Sequence, residues 1–319
     1  MSTAVTTSSK NKTPFDVRPK HIMSVDVEDY FMVEAFAGSI AKNSWSNWPS
    51  RVVESTKLTL DLLEKYNAKG TFFFVGWVAK KFPDLVRDVI SHGHEVGCHS
   101  FWHRPVYTLT PEQFREDTRL ALRAIEDSSG MRVEGYRAPS WSITKDCLWA
   151  LDVLAEEGFS YDSSIYPIHH DLYGVPGALR FPYIINSRNG CILREFPPAS
   201  MRFLGQNFPA AGGGYLRILP LAYTHWVFRH FERRYGGGVV TYLHPWELDP
   251  EQPRVNEKLK SRLRHYTNLS AMKKKLESLL QLYSFQSFRD LMAVERGEDL
   301  ISQSSQSANT TFRGRPLIQ

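Results

Sequence analysis

Cysteine is scarce: three residues in 319 (Cys98, Cys147 and Cys191), odd in number, dispersed and without a CxxC pair. That set argues against a disulfide framework and fits a reducing compartment. Long apolar runs are missing too. The longest strongly apolar stretch, Thr71 to Ala79, is under half the ~20 residues that a membrane-spanning helix needs. The first twenty residues are polar, carry Lys10, Lys12, Arg18 and Lys20 against Asp16, and lack the apolar core of a secretory signal. The expectation is a cytoplasmic protein, at most peripheral to the inner face of the membrane. No fixed-period repeat is visible, so solenoids and propellers drop out. Charge of one sign is not dominant either, since 39 Lys and Arg face 34 Asp and Glu, a formal net charge of +5.

What is present is a foldable chain. With 42% hydrophobic and 13% aromatic residues, a chain of this length can bury roughly three quarters of its unfolded surface. Residues 1–20 and 297–319 lack apolar periodicity and are expected as disordered tails. Between them short apolar runs alternate with amphipathic stretches, the pattern of an α/β parallel sheet or barrel. HIMSVDV (21–27), GTFFFVG (70–76), HEVGCHS (94–100), VEGYRAP (133–139), FSYDSSIYP (159–167) and VVTYLHPWE (239–247) read as strands with their exits. Leu58, Leu62 and Tyr66 mark one helix. Pro83 opens a second, Thr110-Pro111 a third, and Thr144 is a cap candidate for a fourth. Thr224, Val227, Phe228 and Phe231 mark a fifth. Met272, Leu276, Leu279, Leu280 and Tyr283 give the apolar face of a last helix.

The reactive residues fall at the carboxyl ends of these strands: Asp26, Glu28 and Asp29, then His99 and His103, then Arg137, Asp162 and His244. Parallel barrels build their active sites there. His99 and His103 are four residues apart, close enough to share one ion, although two core histidines would give the same pair. They lack the Glu of HExxH, which excludes the helical metalloprotease reading. The three acids of VDVEDYF repel one another unless a cation sits among them. If the strand stays extended, Asp26 and Glu28 share a face; a turn after Glu28 would bring Asp29 inward instead.

Taken in order, VDVED, HSFWH, RAPSWS, YDSSIYP and YLHPWE resemble the motifs of the polysaccharide deacetylase family, the carbohydrate esterases of family 4 that include chitooligosaccharide and peptidoglycan deacetylases. The likeness covers residues 20 to 250. DVEDYF, the GGGYLRILP segment at Gly212 to Pro220 and HPWELDPEQPRV resemble the exosortase-associated branch found in bacterial exopolysaccharide loci. The resemblance implies a distorted (β/α) TIM-like barrel of about seven parallel strands over residues 21–250, with a helical extension over 251–296 packed on it.

On the individual positions, the resemblance implies Asp26 as catalytic base, Arg137 as its orienting partner and His244 as general acid. It implies His99 and His103 as metal ligands with one carboxylate, Asp29 by residue type or Glu28 as the alternative, and a divalent metal, Zn²⁺ foremost. The oxyanion donor would be the N–H of Ser140, while Trp141, Asp162 and Trp246 are substrate-contact candidates. The activity implied is removal of acetyl groups from N-acetylhexosamine units of a bacterial exopolysaccharide or its precursor. The alternatives are a small-amide hydrolase on the same scaffold and a non-catalytic glycan-binding module. From Arg254 to Lys275 eight Lys or Arg face one Glu; such a run is either a solvated helix face or a contact with lipid headgroups or a lipid-linked glycan. No nucleic-acid-binding motif accompanies the charge.

Overall fold

The computed structural model describes residues 19–171, 173–210 and 212–294. The tails expected over 1–20 and 297–319 lie outside the described residues, save for Pro19 and Lys20.

Strand β1 (His21–Val27) is buried along its whole length, as expected of a central parallel strand covered on both faces. A loop with two short 3-10 turns leads to helix α1 (Val52–Lys65), which turns Val52, Thr56, Thr59, Leu60 and Leu63 inward. Strand β2 (Thr71–Phe74) pairs with β1. Helices α2 (Gly76–Lys81) and α3 (Pro83–Ser91) follow, the latter with Pro83 in its first turn, where a missing N–H is harmless. Strand β3 (Glu95–Cys98) comes next. Helix α4 (Pro111–Ser129) has both of its ends written in the sequence. Thr110 and Gln113 form a reciprocal capping box, and Gly130 closes it at φ 67°, a left-handed conformation that glycine adopts without steric cost.

Strand β4 (Gly135–Tyr136), helix α5 (Trp149–Glu156) and strand β5 (Tyr161–Asp162) continue the alternation. Both strands are shorter than their apolar runs suggest, because the RAPSW and SSIYP segments leave the sheet at once to build the rim. Two hairpins then interrupt the pattern: β6 (Tyr183–Asn186) with β7 (Ile192–Glu195), and β8 (Ser200–Phe203) with β9 (Gln206–Pro209). The sequence reading does not contain them, although Asn189-Gly190 is a strong hairpin signal. Helices α6 (Gly213–Ile218) and α7 (Leu221–Tyr235) lead to strand β10 (Val240–Leu243). Helices α8 (Leu259–Tyr266) and α9 (Leu269–Leu282) and the short strand β11 (Phe285–Gln286) follow, and residues 288–294 are helical.

The strand order is β10-β1-β2-β3-β4-β5-β7-β6, with β11 beside the start of β1. The strands from β10 to β7 are all parallel, and only the edge strand β6 runs antiparallel. The sheet is thus a curled half-barrel with seven parallel strands in its path. Side chains alternate between its faces. Phe72 and Phe74 join the main core under the helices, whereas Phe73 points the other way and packs with Ile22, Tyr161, Phe196 and Val240 around Phe288. The segment after β11 therefore plugs one end of the curl, and the carboxyl ends of the strands remain at the other.

Candidate metal centre and catalytic groups

Asp26 lies on β1 and points into the curl, two residues before Glu28, which leaves the strand on the same face. The β3 exit supplies His99 and, through a tight loop, His103. Ser100 (φ 64°) and His103 (φ 48°) both occupy the left-handed region, uncommon for residues with a Cβ and a frequent mark of functional loops. The fully buried carboxylate of Asp117, on α4, holds that loop by accepting from Ser100 Oγ at 2.6 Å, Phe101 N at 2.8 Å and Trp102 N at 3.2 Å.

Glu28, His99 and His103 converge: one ligand atom from each lies within 4.8 Å of the others, and all three residues are buried. Glu28 Oε2 faces His103 Nε2 at 2.6 Å. His99 Nδ1 sits 2.8 Å from the Arg137 carbonyl, so the ring donates there and its Nε2 lone pair is left for a ligand. Burial would raise the Glu28 carboxyl, yet the facing imidazoles of His103, His244 and His99 outweigh it and hold the group below the usual carboxylate range. An acid kept ionised beside two imidazoles, one of them neutral through burial (His99, lowered to about 4), is a donor set suited to a divalent cation. This buried group can bind a metal ion.

Asp29, the carboxylate favoured from sequence, is not in this group. It turns the other way and accepts from Ser50 Oγ, Arg51 N and Tyr30 N, so it fastens the loop before α1. Strand β1 ends at Val27, where Glu28 N donates to Asp26 O at 3.0 Å in a tight turn, and the path of that turn leaves Glu28 facing the histidines.

Arg137 is wholly buried. One guanidinium nitrogen donates to Asp26 Oδ1 and to Ser24 Oγ, each at 2.8 Å. The remaining donors reach the Ser163 carbonyl at 3.2 Å and its hydroxyl at 2.9 Å. Its plane lies against Phe73 and Trp141, 4.4 and 4.7 Å from the ring centroids. No motif or spacing marks Ser24 or Ser163 as its partners.

His244 follows β10. Its Nε2 stands 3.9 Å from Asp26 Oδ2 and 3.7 Å from Glu28 Oε1, and its Nδ1 is 3.2 Å from Glu247 Oε2. Burial alone would lower this imidazole; the Glu247 hydrogen bond and the surrounding carboxylates raise it to about 9. Glu247 is depressed to about 2, its burial outweighed by the charges of Arg217 and His244. Arg217, buried on α6, contacts Glu247 Oε1 at 2.6 Å. Glu247 is placed by the short turn after the strand, whereas nothing in the sequence pattern ties Arg217 to the site.

Ser140 and Trp141 sit in the turn after RAP with φ of 52° and 54°. The turn's own hydrogen bonds are made by the N–H groups of Trp141 and Ser142, which leaves that of Ser140 out of them. The aromatic and acidic contact candidates are walls rather than open platforms. Trp141 is buried against Tyr166, Tyr242 and Arg137. Trp246 is buried between His244 and His265, and its Nε1 donates to Glu28 Oε1 at 3.0 Å. Asp162 is fully buried and holds Ser164; Ser164 Oγ in turn accepts from Ala138 N at 2.8 Å. Asp162 thus braces the RAPSW turn from below.

Among known families, residues 45–159 match polysaccharide deacetylase and residues 163–293 match a domain of unknown function, DUF3473. The first match ends at residue 159 and the second begins at residue 163, each spanning less than half of the chain. The two meet inside one continuous sheet: His99, His103 and Arg137 lie in the first, Arg217, His244 and Glu247 in the second, and Asp26 and Glu28 precede both. The chain is 30% identical over 112 residues to a peptidoglycan deacetylase of Helicobacter pylori, covering 35% of this chain and 36% of the relative. It is 26% identical over 123 residues to a peptidoglycan-N-acetylglucosamine deacetylase of Bacillus cereus, covering 35% and 45%. The matches thus span less than half the length of these curated relatives. A solved Mycobacterium smegmatis structure assigned to the polysaccharide deacetylases aligns over 99% of this chain and all of its own, with TM-score 0.58 and 19% identity. The curled half-barrel with helices after it is the fold that the two structures share.

Proposed function

We propose that the protein is a metal-dependent N-deacetylase acting on N-acetylhexosamine units of a bacterial exopolysaccharide or its precursor. The observation that carries the reading is the placement of Asp26 between Arg137 and His244, beside the Glu28-His99-His103 group. A pure binding module has no use for a base and an acid flanking a metal-ligand set. The H. pylori and B. cereus relatives are named for deacetylation of peptidoglycan, which supports the reaction type and leaves the glycan to experiment.

Glu28, His99 and His103 are the residues that would hold the cation. When bound, a divalent ion such as Zn²⁺ polarises an amide carbonyl and brings a water's pKa down towards 7. Asp26, oriented by Arg137, takes the proton as water attacks. The N–H of Ser140 faces the developing oxyanion, a donor worth about 3 kcal/mol when well placed. His244, charged through Glu247, gives its proton to the departing amine. The sugar reaches these groups past walls formed by Trp141 and Trp246. The barrel proper spans residues 21–250, with the helices α8 and α9 after it as its brace.

The test is acetate release from N-acetylated glycans by purified protein, with and without a chelator. The reading expects release that chelation stops and Zn²⁺ restores. Metal-loaded protein that frees no acetate from any of them would defeat it. Release of ammonia or acid from small amides alone would favour the amide-hydrolase alternative.

A further inference from the structure

The long helix α7 buries Thr224, Val227, Phe228 and Phe231, and its opposite face carries a feature the deacetylase reading does not use. Ala222, Trp226, Arg229 and Arg233 form an exposed stripe at helical spacing. With His225, His230 and Arg234 they line an open groove of about 550 Å³ that contains no carboxylate. Trp226 is 52% exposed, in a row with Tyr223 and His230 at ring separations of 5.9 and 5.5 Å. The helix's one acid, Glu232, is taken up by His21 at 3.3 Å. Among the described residues, Arg229, Arg233 and Arg234 make no ion pair or hydrogen bond.

We propose that this face of α7 docks the protein on an anionic lipid bilayer, with Arg229, Arg233 and Arg234 meeting lipid phosphates and Trp226 seated at headgroup level. Every lining residue comes from one helix, and among the described residues nothing closes the groove from the far side. A small soluble phosphate would need donors converging from several directions, whereas a plane of negative charge meets a one-sided row of cations. Arg229 and Arg233 are spaced about 6 Å along the axis, and a tryptophan beside arginines is the composition of interfacial helices. No helix among the described residues is long and apolar enough to cross a membrane; attachment of this kind uses a helix face alone. The surface differs from the basic segment 254–275, part of which is spent internally: Lys275 Nζ donates to the carbonyls of Leu216, Arg217 and Leu219, and Arg254 stacks on Tyr266.

The experiment is sedimentation of the intact protein with vesicles of phosphatidylglycerol and phosphatidylcholine, against phosphatidylcholine alone, in rising salt. It needs no catalytic activity, so its outcome is independent of the deacetylase reading. The expected result is salt-sensitive binding to the anionic vesicles only, with a blue shift in fluorescence that Trp226→Phe removes. Arg229→Gln/Arg233→Gln should weaken binding on the order of thirtyfold, whereas Lys258→Gln/Arg262→Gln leaves it nearly intact; unchanged melting of both variants shows that they fold. The proposal is overturned if the wild type ignores anionic vesicles, if the α7 variant binds as the wild type does, or if the 258/262 variant alone loses binding. Calorimetric binding of inorganic pyrophosphate without vesicle binding would mark a small-anion site and overturn it equally.

Discussion

Arg217 Nε lies 2.6 Å from Glu247 Oε1, with both side chains buried, and the same guanidinium donates to the carbonyls of Arg264, His265 and Thr267. One arginine on α6 therefore joins the acid behind His244 to the junction between α8 and α9. Removing one partner of such a pair leaves a buried charge uncompensated, at a cost of about 3–5 kcal/mol. Arg217→Ala is expected to lower stability by that amount in urea unfolding. A loss below about 1 kcal/mol would mean that water replaces the guanidinium freely.

The two acids after β1 make separable predictions. Glu28→Gln, His99→Ala and His103→Ala should each abolish stoichiometric Zn²⁺ binding, because each removes one of three ligands. Asp29→Asn should keep the metal and lose stability instead, since its carboxylate fastens Ser50 and Arg51. Metal content by mass spectrometry, read beside melting temperature, checks this. Metal lost from Asp29→Asn and retained by Glu28→Gln would reverse the assignment.

Asp26→Asn retains the size of the side chain and removes its capacity to take a proton. General-base catalysis is typically worth 10²–10⁴-fold, and acetate release should fall by about that factor while Zn²⁺ stoichiometry is unchanged. Activity within tenfold of wild type would leave Asp26 a structural partner of Arg137 and no more.

Glu195 and Asp162 form a buried acid pair under the rim. Burial first, then the Asp162 charge and hydrogen bond, push Glu195 well above the usual carboxylate value of 4.5. A raised folded-state value means that the stability held by the protonated form is complete below pH 4.5 and is lost as pH rises through the folded value. Glu195→Gln mimics the protonated form. It should match the wild type near pH 5 and be the more stable of the two near pH 9. Urea midpoints at the two pH values decide it; a constant difference would show that the acid does not carry the proton.

The alternation of strands and helices was legible because burial on both faces of a parallel strand leaves a plain apolar run, as in TFFF, and because caps such as Thr110-Gln113 and Gly130 are local chemistry. The pair His99 and His103 was equally visible, four residues apart at the end of such a run. The two hairpins over 183–209 escaped because their strands are only four residues long, and YIIN, ILRE and QNFP carry neither a plain apolar run nor a regular alternation. The choice between Glu28 and Asp29 stayed open because one residue of register exchanges the faces.

By itself the sequence determined the order of elements, the strand ends at which reactive groups cluster and the types of ligand available, all of which follow from local spacing and propensity. Only the tertiary structure decided that Glu28 faces the histidines, that Asp162 braces the RAPSW turn, and that Arg217 reaches Glu247 across thirty residues. Those facts depend on which side chains the curl of the sheet brings within a few ångströms of one another, and separation along the chain carries no record of that distance.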